Sequence, residues 1–187
     1  KYGDILAADR TFDLFSSEKI IIREITGKYP KSIISTYSDE IYLFNMSNIS
    51  INKKLNKSID LKYITVVLNS SLMSYYFINN TAKAVRQMFP KIILQDLRQF
   101  PFKEINLKEQ EPFIQKADLM LELNKKLQEL KQNFINELNL EKVPTKLQKF
   151  EELDFDDFVK EYAKAKKLKF ADKLEERNFK NEWQRLF

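Results

Sequence analysis

The sequence predicts an α+β fold in which a small mixed sheet with helices is followed by a long helix and a helical tail. Three observations carry this reading. Lys19-Ile-Ile-Ile-Arg23 is a short β-branched run bounded by Ser16-Ser17 and Thr26-Gly27, the pattern of a buried strand. Between Tyr63 and Phe77, the side chains of Ile64, Val67, Leu68, Ser71, Leu72 and Tyr75 fall at helical spacing on one face. Further on, Met120, Leu123, Leu127, Leu130 and Phe134 step by three and four in alternation, which is a heptad seam.

Taken in order, Glu18 to Ile25 is the first strand. Ile33 to Tyr37 and Ile41 to Ile51 continue the strand character, and Ser38-Asp39-Glu40 is a plausible hairpin turn between them. Asp60 stands where it can cap the helix over 63–77, and Asn79-Asn80-Thr81 ends that helix. Residues 81–91 carry Lys83, Arg86, Gln87 and Lys91 around Val85 and Met88, a long polar loop between elements. It leads to Asp96-Leu-Arg-Gln-Phe-Pro101. From Glu109 a helix of about 30 residues opens on acidic Glu109 and Glu111 with Pro112 in its first turn, which suits the partial positive charge there. Leu121, Ile135 and Leu138 widen its seam. Val143-Pro144 ends it, and Thr145-x-x-Gln148 and Asp154-x-x-Asp157 each offer a new helix start, the first as a capping box. Phe155, Phe158, Val159 and Tyr162 make the last clear apolar face, expected to cover the heptad seam. The chain therefore divides into an α+β domain at 1–107, a heptad-patterned spacer arm at 108–140 and a helical tail at 141–187. Trp183-Gln-Arg-Leu-Phe187 carries no stop signal, so the tail reads as truncated.

Composition narrows the chemistry. The chain has 187 residues, 43% of them apolar, enough for one domain with its own core and an appendage. With no Cys and no His, neither the usual zinc sites nor Ser-His-Asp or Cys-His machinery can be assembled from it. Disulfides are excluded as well, which fits a cytoplasmic protein. Only Gly3 and Gly27 occur, so neither a P-loop nor a dinucleotide turn is available. No apolar stretch approaches the ~20 residues of a membrane span. Residue 1 is Lys without a signal-peptide pattern after it, and the chain reads as a piece of a longer polypeptide. The formal charge of +5 is uneven: nine cationic side chains face eight acidic ones in residues 1–60, six face two in 61–107, and seventeen face seventeen beyond. The positive excess sits on the segment with the polar loop, where it can attract a polyanion.

The order of the Ile-rich strand, a helix centred on Leu68-Asn69-Ser70, the polar loop and the Phe100-Pro101-Phe102 edge resembles the TaqI-like C-terminal specificity (target-recognition) domain of type IIG restriction–modification enzymes. It is more distantly similar to type I specificity subunits, in which a polar stretch with a Gln opens a long helix, as Leu107-Lys-Glu-Gln110 does here. The resemblance covers roughly 12–138 and implies a non-catalytic module that recognises a sequence in double-stranded DNA. It implies that methyltransferase and nuclease domains lie upstream in the same polypeptide, with S-adenosylmethionine and Mg²⁺ as cofactors of that parent and none in this piece. The prolines at 30, 90, 101, 112 and 144 are never adjacent, so the Pro-Pro motif of the family's amino-methyltransferase domain is missing here.

On this basis the candidate DNA-binding residues are Asn79, Asn80, Lys83, Arg86, Gln87 and Lys91. Arg and Gln can bond guanine and adenine bidentately, whereas lysines hold phosphates. Leu68-Asn69-Ser70 reads as architectural, Arg23 as the partner of Glu24 or Asp39, and Tyr75, Tyr76 and Phe77 as core aromatics. Asp39 and Asp60-Leu61-Lys62 superficially match a Mg²⁺ nuclease pattern, but Asp60 already has a capping role. Two other readings stay open: a helical protein-interaction module built on 109–187, and an RNA-binding domain.

Overall fold

The computed structural model describes residues 11–53, 58–81, 90–168, 170 and 172–184. The chain forms two compact units, Lys1–Leu121 and Glu122–Phe187, and the fold is α+β as the sequence predicts.

In the first unit a short helix α1 (Asp13–Ser16) precedes strand β1 (Lys19–Arg23). Strands β2 (Ser35–Ser38) and β3 (Asn48–Asn52) flank it in the order β2-β1-β3. Both pairings are antiparallel, so the three-stranded sheet is not mixed. The hairpin expected at Ser38-Asp39-Glu40 does not form. β1 is the most apolar strand and takes the centre, where both its edges are paired, while the more polar β2 and β3 become edges. Residues 39–47 cross from one edge to the other, tied by Lys19 Nζ donating to the Glu40 carbonyl (2.7 Å) and Tyr42 N–H donating to the Phe15 carbonyl (3.1 Å). The alternation of Tyr42, Phe44 and Met46 therefore produces no strand, and Met46 is 88% exposed.

Ile20 and Ile22 point to the helical side of the sheet and join Ile33, Leu61, Leu68, Met73, Phe77, Ile92 and Phe100 in the core. Burying each such side chain contributes roughly 1.5–3 kcal/mol. The helix expected over 63–77 is two helices, α2 (Leu61–Leu68) and α3 (Ser71–Asn80). Asp60 caps α2 as predicted, accepting from the Lys62 N–H at 2.7 Å. Ser70 is extended and caps α3 through the Met73 N–H, 3.1 Å. That break turns a different face inward: Met73, Ser74 and Phe77 are buried, whereas Leu72 and Tyr75 are 77% and 59% exposed.

After the one-turn helix α4 (Leu94–Leu97), helix α5 runs from Leu107 to Glu137. It starts two residues before Glu109 because Asn106 and Glu109 form a reciprocal capping box, each side chain accepting the other's N–H at 3.0 and 3.1 Å. Pro112 thus falls in the second turn. Gln110 is fully buried at the start of α5. Its amide accepts from the Asp60 N–H (2.8 Å) and donates to the carbonyls of Ser58 (3.1 Å) and Ile105 (2.9 Å), which fastens α5 to the approach to α2.

In the second unit, a 3₁₀ turn (Leu147–Glu152), α6 (Phe155–Lys166) and α7 (Lys173–Gln184) surround Leu138, Phe158, Val159 and Tyr162. Asp154 caps α6 through the Asp157 N–H. The capping box at Thr145 does not form: the Gln148 side chain instead donates to the Val143 carbonyl, 3.0 Å. The Phe134 ring packs at a tilt against Phe150 and Phe158, so the end of the heptad seam is covered as expected. The rest is not. Met120, Leu123, Leu127 and Leu130 are 58%, 50%, 46% and 57% exposed.

Candidate nucleic-acid interface

Leu68-Asn69-Ser70 builds the frame of the candidate site, one residue per task. Leu68 is fully buried. The Asn69 side chain accepts from the Ser35 N–H and donates to the Ser35 carbonyl, both at 2.9 Å, and so satisfies the outward main chain of an edge strand. Ser70 ends one helix by donating to the Val67 carbonyl (2.7 Å) and starts the next. The tripeptide is architectural, as its composition indicates.

This frame fixes both ends of the polar loop. On one side α3 terminates at Asn80, and the Asn79 and Asn80 amides donate to the carbonyls of Tyr75 (2.8 Å) and Tyr76 (2.9 Å), leaving both residues exposed. On the other, residues 90–92 run beside the extension of β1: Thr26 N–H donates to the Pro90 carbonyl and Ile92 N–H to the Glu24 carbonyl, each at 3.0 Å. Lys91 is held there, with its amine 3.3 Å from the Glu24 carboxylate. Lys83, Arg86 and Gln87 lie outside the described residues. Tyr76 meets Phe100 edge to face and its hydroxyl donates to the Gln99 carbonyl, so of the three aromatics Phe77 is core, Tyr76 half-buried and Tyr75 exposed.

The structure also presents a polar surface that the sequence reading passed over. Arg23 pairs with neither Glu24 nor Asp39. Glu24 is taken by Lys91, and the Arg23 side chain is exposed with no hydrogen bond or ion pair among the described residues. Lys19, Ile21 and Arg23 alternate with Ile20 and Ile22, so they face away from the core, alongside Thr36 and Ser38 of β2 and Asn48 of β3. The period-two pattern of β1 contains this signal, but only the strand order shows which polar residues join it.

Two nearby lysines are structural. Lys19 is buried and donates to the Ser17 and Glu40 carbonyls, and burial lowers its pKa against the pull of Asp39. Lys62 lies 2.7 Å from Asp118 and 5.0 Å from the Tyr37 ring centroid, and its hydrogen bond to Asp118 raises its pKa. With Asp60 capping α2 and Lys62 bound to Asp118, the superficial nuclease pattern has no free set of groups. Among the described residues no three His, Cys, Asp or Glu side chains are grouped to hold a metal ion. Nor is any described helix long and apolar enough to cross a membrane.

Comparison with known proteins agrees with this frame. The family model of the TaqI-like C-terminal specificity domain matches residues 2–102, more than half of the chain. The chain belongs to that family. Residues 106–187 match a second family, described as a domain of unknown function (DUF8810). A protein of Methanocaldococcus jannaschii described as a type II restriction enzyme and methyltransferase is 29% identical over 141 residues, 70% of this chain. The chain spans 11% of that relative's length. No solved structure matches.

Proposed function

We propose that this chain is the sequence-specific DNA-recognition module of a restriction–modification enzyme of the type IIG kind. In this reading the segment that follows α3 meets the duplex, Arg86 and Gln87 address base edges, Lys83 holds a phosphate, and Lys91 adds its half-exposed charge while its amine stays paired with Glu24. The module positions methyltransferase and nuclease domains elsewhere in the parent polypeptide on one site, and S-adenosylmethionine and Mg²⁺ act in those domains. On this proposal the chain itself is non-catalytic and works in the cytoplasm, where the DNA is.

The observation that carries the reading is the membership of residues 2–102 in a specificity-domain family, in a fold that ties down residues 79–80 and 90–92 within its most basic segment. A handful of phosphate contacts from a segment with six cationic and two acidic side chains implies a log–log salt slope of about −3 to −5. Titration of the chain with duplex DNA across salt concentrations, with single-stranded RNA as competitor, tests this. A flat salt response, or displacement of duplex by RNA at equal concentration, contradicts it. The protein-interaction reading has one observation in its favour, the exposed leucines of α5; loss of DNA binding on changing residues 83–91 argues against it.

A further inference from the structure

We propose that the outer face of the sheet is a second DNA contact, a phosphate site whose charged group is the Arg23 guanidinium. The inference rests on the DNA-recognition reading and extends it to a surface outside the loop. A hollow of about 410 Å³ lies on this face, lined by Arg23, Thr36, Ser38, Tyr42 and Asn48 with Ile21 as its floor. Its lining has one cation, hydroxyls and an amide, and no carboxylate. That is a donor set for an oxyanion, which accepts hydrogen bonds and carries negative charge.

The nearest acid in sequence is neutralised elsewhere, because the Glu24 carboxylate sits 3.3 Å from the Lys91 amine. The Arg23 side chain is left exposed with no partner among the described residues, so binding an anion breaks no ion pair among them. It stands on a strand whose main chain is bonded on both sides, opposite Ile34 through its N–H and opposite Asn48 in register. A guanidinium on the central strand is better fixed in space than one on a loop, which suits a contact that sets register. Its position is also continuous with the loop: two residues on, Ile25 bridges to Lys91 where the loop returns. One DNA backbone can therefore meet Arg23 and the loop stem together.

The test is titration of the 187-residue chain with duplexes of several sequences over a range of salt, for wild type, Arg23→Gln, Arg23→Lys and Asn48→Asp. Arg23→Gln is expected to weaken every duplex alike by several-fold and to make the log–log salt slope shallower by about 1. Arg23→Lys keeps the slope. Asn48→Asp, which sets a carboxylate in the hollow, weakens binding too. Thermal melting confirms that each variant is folded. Wild-type affinity and slope in both Arg23→Gln and Asn48→Asp overturns the inference, as does a changed sequence preference in Arg23→Gln. If Lys83→Gln weakens binding while the Arg23 and Asn48 variants do not, this inference falls and the recognition reading stands. If the wild-type chain binds no duplex, both fall.

Discussion

Asn69 and Gln110 each convert a polar side chain into main-chain partnership at a place where the fold would otherwise leave groups unpaired. Asn69 holds both main-chain groups of Ser35, and Gln110 holds one N–H and two carbonyls. Replacing Gln110 by Leu strands those three groups, and denaturant unfolding should show a loss of about 2–3 kcal/mol, against about 1–2 for Asn69→Ala at its more exposed position. A loss below about 0.5 kcal/mol for Gln110→Leu contradicts the assigned role. Tyr37 offers a test by pH. Burial first, then the Glu18 and Asp39 carboxylates, raise its pKa above the usual tyrosine value. A group whose folded pKa is raised contributes stability that is present below the unfolded value and lost as pH climbs above it. Wild type should therefore lose stability above the usual tyrosine range more steeply than Tyr37→Phe, read from urea midpoints at several alkaline pH values. If the proposed DNA reading holds, Arg86→Ala should cost about 1–3 kcal/mol of binding and relax one position of the site, whereas Lys83→Ala should weaken all sequences alike.

At the scale of elements, the strand at 19–23 was legible because its apolar run is short, continuous and bounded by turn residues. The strand order was not. Local pattern places β2 and β3 next to each other in sequence, and nothing local says that β1 will lie between them. The break between α2 and α3 was hidden for a similar reason: helical spacing continues across Asn69-Ser70, but both side chains find main-chain partners that compete with the helix. The heptad of α5 was legible as a pattern, yet the pattern does not say what covers it. At its end, Phe134 and, just beyond it, Leu138 meet the apolar side chains of α6 and the 3₁₀ turn. Leu127→Asp, at a residue 46% exposed, should thus change unfolding free energy by less than about 1 kcal/mol. Leu138→Ala, at a fully buried residue, should cost about 2–5 kcal/mol. Equal losses in chemical denaturation would show that the stripe around Leu127 is covered.

For the whole molecule, the family was legible from the order of motifs. The outer sheet face was not, because Arg23 reads in sequence as one more strand residue beside Glu24. Only the register with Asn48 and the engagement of Glu24 by Lys91 reveal a guanidinium on a polar face with no ion-pair partner among the described residues. Electrostatics of this modest size give general affinity for DNA but no choice of sequence, which must come from side chains at base edges. The central claim is that choice. Selection of bound duplexes from a random library by the wild-type chain, repeated with Arg86→Ala, tests it most directly. Wild type should enrich one defined site, and the variant should lose preference at one of its positions. Bound duplexes with no enriched site, or an identical site from both proteins, would contradict it.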